Sequence, residues 1–236
     1  PNKVTEVRLR LTIAYDGRPF AGWQSQAGGN TVQDHLERSV QRVLKVNTKP
    51  AVHGSGRTDA GVHGLGQVAH VEVPDDCRME MAAWVRALNV HLPAAIRVVA
   101  AARAAPDFHA RFDATGKTYR YRIWHAPILP PLEAGLAWHV PHSIDFSLLT
   151  AACRLCEGTH DFTAFAANRG DGRDEGRDAV RHLWSIAVDH PAPLLTLTFH
   201  GSGFLYKMVR LLTGSIIRVA MGRAPLSWLE HLLTAP

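Results

Sequence analysis

Alternation between apolar and polar positions opens the chain. Val7, Leu9, Leu11, Ile13 and Tyr15 alternate with Arg8, Arg10, Thr12 and Ala14, which predicts a strand with one buried face. The arginines on its other face suit either a solvated surface or a nucleic-acid surface. Asp16-Gly17 closes the strand with a turn, and Phe20 to Gln24 follows as an aromatic loop. The period then becomes helical. Thr31 is a favoured N-cap, Asp34 suits a first turn, and Val32, Leu36, Val40, Val43 and Leu44 recur at helical spacing, predicting a helix over 32–45. Alternation returns over 66–73, with Ala69, Val71 and Val73 on one face. Met81, Trp84, Val85 and Leu88 mark a second helix, and 96–102 reads as another strand. The order β-α-β-α-β is close to half of a ferredoxin-like arrangement.

The second half repeats the theme. Residues 118–124 alternate, with Tyr119, Tyr121 and Ile123 on one face and Lys117, Arg120 and Arg122 nearby. Helical spacing predicts a helix over 146–156, with Gly158 as its stop. Strands are predicted over 180–188 and 194–200, and Val180, His182, Trp184, Ile186 and Val188 are expected to share a face. A long helix is expected from Phe204, lined on one side by Phe204, Met208, Leu211, Leu212 and Ser215. A short helix over 226–233 follows. The glycine- and charge-rich stretch 168–178 reads as a loop near RNA.

Composition narrows the class. The chain has 236 residues, enough for one large or two small domains. A net charge of +5 favours anionic partners without identifying one. No apolar run is long enough to span a membrane, and the first residues carry no secretory segment. Three cysteines do not suggest a disulfide scaffold. The expectation is a soluble, cytoplasmic protein. Cys153 and Cys156 form a C-x-x-C pair late in a predicted helix. Zinc would need further ligands, and a redox pair belongs at a helix start after a strand, so two small core residues are expected.

The stretch Gly54 to His63, G-S-G-R-T-D-A-G-V-H, concentrates candidate chemistry. Glycines let a backbone take unusual angles and let another chain approach closely. A shaped loop holding Arg57 and Asp59 for a substrate is one reading, and a tight turn in which the two merely pair is the other. No Gly-Lys-Ser/Thr follows, so it is not a phosphate loop of the Walker type. No G-x-G-x-x-G supports a dinucleotide-binding fold, and no H-x-E with a cysteine pair suggests a zinc deaminase.

G-R-T-D-A-G-V-H resembles the catalytic motif of the tRNA pseudouridine synthase A family, in which the nucleophilic aspartate falls on Asp59. The family also carries a G-W-Q segment like Gly22 to Gln24. Phe108 to Tyr121 resembles its F-H-A-R-F-D-A-T-G-K-x-Y-x-Y run. His160 to Phe165 resembles H-D-F-x-A-F, and Phe204 to Arg210 resembles F-L-x-x-M-V-R. The resemblance covers nearly the whole chain. It implies an α+β pseudouridine synthase fold of two ferredoxin-like domains, 1–108 with the catalytic loop 54–63 and 109–236, whose antiparallel sheets lie side by side. It implies that Tyr119 contacts the target base, although pattern alone also suits a core tyrosine. It implies that Arg210 reaches the catalytic aspartate, although spacing alone also suits a solvated helix charge. Arg57 would bind phosphate or fill the space of a flipped nucleotide. The implied substrate is the tRNA anticodon stem-loop at positions 38 to 40, and the implied assembly is a homodimer. Isomerising uridine changes no oxidation state and imports no group, so no cofactor or metal is expected. The family continues into a glycine-containing segment and a final strand, which is not found after Leu233 here. Two rivals remain: a non-catalytic RNA-binding protein of the same fold, and an enzyme acting on another structured RNA.

Overall fold

The computed structural model describes residues 6–75, 77, 79–168 and 178–234. The predicted loop over 168–178 lies, except for its two end residues, outside them. The chain divides into two compact units, Pro1–Ala114 and Thr115–Pro236. Among the described residues no helix is long and apolar enough to cross a membrane.

In the first unit, β1 (Glu6–Tyr15) buries Leu9, Leu11, Ile13 and Tyr15, as the alternation predicts. α1 (Val32–Leu44) starts where Thr31 caps it: the Thr31 hydroxyl accepts from the Asp34 N–H at 3.2 Å. Burial alone would raise the Asp34 pKa, but hydrogen bonds from Thr31, Ser25 and Lys49 draw it down to about 2. α1 ends at Lys45, whose left-handed backbone returns its N–H to the Arg42 carbonyl. Next come β2 (Val52–Gly54), β3 (Gly64–Pro74), α2 (Met81–His91) and β4 (Ile96–Arg103). β2 is the strand that the sequence pattern did not predict. With it the element order becomes β-α-β-β-α-β, and the antiparallel sheet order β2-β3-β1-β4 completes the ferredoxin-like arrangement. One sheet face packs Leu11, Ala69 and Val71 against Leu36 and Val40 of α1 and Trp84 and Leu88 of α2. The other face carries Arg8, Arg10, His70 and Glu72, which pair across β1 and β3.

The second unit repeats the theme. β5 (Lys117–Trp124), α3 (Phe146–Cys156), β8 (Val180–Asp189), β9 (Leu194–Gly201) and α4 (Met208–Ala220) follow the same order of elements. Two short strands, β6 (Trp138–His139) and β7 (Gly158–Asp161), were not predicted, and α5 (Leu226–Thr234) ends the described chain. The sheet order is β6-β5-β9-β8-β7. As in the first unit, the first long strand lies beside the third and the third beside the second. β6 departs from the expected antiparallel pattern, since it runs parallel to β5 through Ile123 and Trp124. Cys153 and Cys156 are free thiols inside the second hydrophobic core.

Two expectations about facing need correction. Leu183 and Ile186 are the buried residues of β8, while Val180, His182 and Trp184 are exposed. The register against β9 shifts between Leu183 and Ser185. A bulge of this kind inserts one residue and reverses which parity faces the core. The helix expected from Phe204 begins only at Met208. Lys207 before it has φ 58°, a left-handed conformation that a right-handed helix does not propagate. Leu211 is 38% exposed and does not line the core, which takes Met208, Leu212, Thr213 and Ile216 instead.

Candidate active site

The loop between β2 and β3 carries the acid–base motif, and the end of β1, the segment after it and the start of β3 grip it. The Trp23 N–H donates to the Thr58 carbonyl at 3.0 Å, and the Tyr15 and Thr58 hydroxyls lie 2.9 Å apart. The Gly17 N–H donates to His63 Nδ1 at 3.4 Å, and Asp16 Oδ1 lies 3.2 Å from the same atom. Asp16 itself is held by Arg18, whose hydrogen bonds draw its pKa down to about 2. On the far side Ser55 donates its N–H to the Val68 carbonyl at 2.8 Å, and Gln67 joins the Ser55 hydroxyl to the Gly56 carbonyl. The close fit explains Gly22. Its φ is +96°, and a Cβ there would meet the Thr58 carbonyl oxygen at 2.7 Å and the Asp59 carbonyl carbon at 3.2 Å.

Asp59 sits at the centre of this clamp and is half-buried. Its carbonyl accepts from the Val62 N–H at 3.1 Å, which closes a turn directly behind it. Arg57, two residues earlier, is exposed. The residue before the carboxylate, Thr58, is therefore held by the buried aromatic residues Tyr15 and Trp23, and the backbone after it by the Val62 turn. That suits a group that must meet a substrate in one geometry.

Tyr119 and Arg210 belong to the second unit. Tyr119 lies on β5 opposite Phe199 of β9. It is half-buried, with the Phe204 ring edge-on at 5.0 Å. Arg210 is exposed in the first turn of α4. A cation there opposes the helix dipole, so helix stability does not account for it.

Sequence reading did not single out Thr58, Tyr15 or Trp23 as the clamp. The signals were glycine punctuation at Gly17, Gly22 and Gly54 and the G-W-Q segment that contains Trp23. Sequence reading also passed over three histidines on the face of the first sheet opposite α1 and α2. His53 and His70 stack with centroids 5.0 Å apart, and His109 meets His70 edge-on at 4.7 Å. They come from β2, β3 and the segment after β4, so no local spacing links them.

Comparison with known proteins agrees with this picture. A family model for tRNA pseudouridine synthase matches residues 11–113 and 152–236. The tRNA pseudouridine synthase A of Akkermansia muciniphila is 51% identical over 231 residues, spanning 97% of this chain and 86% of that protein. The enzymes of the same name from Geobacillus kaustophilus and Solidesulfovibrio magneticus are 41% and 43% identical, each over 97% of this chain. A solved chain from a Cbf5-Nop10-Gar1 complex aligns over 89% of this chain and 45% of its own length, with a TM-score of 0.34 and 14% identity, a likeness too weak to carry an argument. The motif loop, the ferredoxin-like first unit and these matches agree, and the chain belongs to the tRNA pseudouridine synthase A family.

Proposed function

We propose that this pseudouridine synthase acts on the anticodon stem-loop of tRNA, at positions 38 to 40, with Asp59 as its nucleophile. The observation that carries the proposal is the clamp on residues 55–63, which fixes the backbone around a half-buried carboxylate. The reaction is balanced within the nucleotide. Asp59 adds to the sugar C1′ or to C6 of the ring, and the glycosidic bond to N1 breaks. The base turns, C5 bonds to C1′, the bond to Asp59 breaks and returns the free carboxylate, the C5 proton leaves and N1 takes a proton. Tyr119 packs the base, and its hydroxyl assists removal of the C5 proton. Arg210 supplies the positive charge for Asp59. Arg57 binds phosphate or fills the place of the turned-out nucleotide. The working form is a homodimer in the cytoplasm.

The test uses an unmodified tRNA transcript. Asp59→Asn is nearly isosteric and lacks the nucleophilic charge, so turnover should vanish while tRNA affinity stays within a few fold. Mapping pseudouridine at single-nucleotide resolution should place the product at positions 38 to 40. Turnover by Asp59→Asn close to wild type would remove the nucleophile assignment. Product found only outside the anticodon stem-loop would remove the substrate assignment.

A further inference from the structure

Phe112 is 74% exposed, yet it stands on a turn closed by several hydrogen bonds. The turn runs from His109 to Asp113. The His109 N–H donates to Asp113 Oδ2 at 2.8 Å, and the Phe112 and Asp113 N–H groups donate back to the His109 carbonyl at 3.0 and 2.9 Å. His109 Nδ1 also accepts from the Arg111 and Phe112 N–H groups at 3.2 and 3.4 Å. Beneath the turn, Ala110 is buried and donates its N–H to His70 Nδ1 at 3.1 Å. Arg8 Nη1 anchors the preceding residue through the Phe108 carbonyl at 2.6 Å. The turn is thus fastened to β3 and β1 through His70 and Arg8.

This framework does not bury Phe112. It orients the ring: the His109 imidazole lies 4.2 Å from it, with 32° between the planes, and the Arg111 guanidinium lies 5.7 Å from its centroid. Burial of the ring does not explain a rigid turn that displays it to water. A ring displayed to water, backed by an imidazole and with a guanidinium over it, offers what an unstacked nucleobase requires. The base stacks on the ring, and the cation meets its phosphate or its π-face. The exposed Arg10 lies on the same sheet face, opposite His70 in the strand ladder, and adds positive charge there. Of the carboxylates nearby, Asp113 is occupied by the His109 N–H, and Glu72 by Arg8 and Glu6. A protein partner would be expected to cover a wider apolar patch than one ring with a cation beside it.

We infer that Phe112, with the Arg111 guanidinium over its ring and His109 behind it, is a stacking platform for an unpaired base of the RNA substrate. Its position is set by His70, which acts through the turn and touches no RNA. The inference rests on the tRNA-substrate reading above, and the experiment separates the two. Affinity for an unmodified tRNA transcript is measured by filter binding for wild type, Phe112→Ala and Phe112→Trp, and pseudouridine formation by the wild type is assayed on the same transcript. Loss of one stacked base should weaken Phe112→Ala by about 5- to 100-fold, while Phe112→Trp binds as wild type. Arg111→Ala should lower the slope of log affinity against log salt by about one phosphate contact. Because the ring is exposed, the thermal midpoint of Phe112→Ala should match wild type, which separates lost binding from lost folding. Phe112→Ala binding within twofold of wild type overturns the platform and leaves the proposed function standing. The predicted loss of affinity with no product from the wild type keeps the platform and removes the proposed function. A change in oligomeric mass in Phe112→Ala at unchanged RNA affinity also overturns the inference, since the ring would then serve a protein contact.

Discussion

His70 shows how one residue ties stability to pH. It is 2% exposed, and its pKa is pushed from 6.5 down to about 4. Burial is the main cause, the charges of His53, His109 and Arg8 add to it, and Glu72 opposes it. Nδ1 accepts the Ala110 N–H, so the ring is neutral with its proton on Nε2. The sign follows directly. Between pH 6.5 and 4 the unfolded chain holds a proton on this histidine that the folded chain does not, so stability falls as pH is lowered through that window. The full effect is about 1–3 kcal/mol. Urea midpoints measured from pH 7.5 to 4.5 should decline, and His70→Asn, which keeps an acceptor for the Ala110 N–H, should decline less steeply. Equal slopes for the two proteins would show that other groups govern the acid limb.

At the scale of elements, the start of α4 is set by a single backbone angle. Lys207 at φ 58° turns the chain out of the Leu205–Tyr206 turn and into the helix. A residue branched at Cβ is strained there, whereas glycine is not. Lys207→Val should lower stability by about 1–2 kcal/mol, and Lys207→Gly should stay within about 0.5 kcal/mol of wild type, both read from urea unfolding. The same feature marks the limit of what sequence shows. β1, α1, α2, α3 and β5 were legible because each keeps an apolar period on one face, and β3 because its apolar residues alternate although His70 between them is also buried. β2, β6 and β7 have two to four residues, too few for a period to register. The parity of β8 was misread because the extra residue of a bulge has no signature in hydrophobicity. The start of α4 was misread because apolar spacing continues through Lys207 although the backbone does not. In the site loop the motif drew attention to Asp59 and Arg57, whose roles are proposed above. The clamp was not, because Tyr15, Trp23 and Thr58 meet only after β1 and β3 pair.

For the whole molecule, each unit has its own hydrophobic core and the chain carries a net charge of +5. A tRNA is much larger than either unit. A two-fold pair of chains would offer a second basic surface, so that one chain holds the body of the tRNA while the other acts on its target. Light scattering should give twice the 25.9 kDa chain mass. Whole tRNA should bind much more tightly than an isolated anticodon stem-loop, with affinity falling steeply as salt rises. A single-chain mass with equal affinity for both RNAs would rule out the paired arrangement and leave Asp59 unaffected.

The two cores also differ in what they conceal. Cys153 and Cys156 lie wholly inside the second one, and burial pushes both thiols up to about 12. Cys77, in the first unit, is only half-buried. The thiolate is the form that reacts with alkylating dyes. The protein therefore carries a built-in tagging handle at Cys77 and two silent reporters in its other half. The silent pair takes up dye only when the second unit opens, so the slow phase of native-state labelling is a stopwatch for that opening.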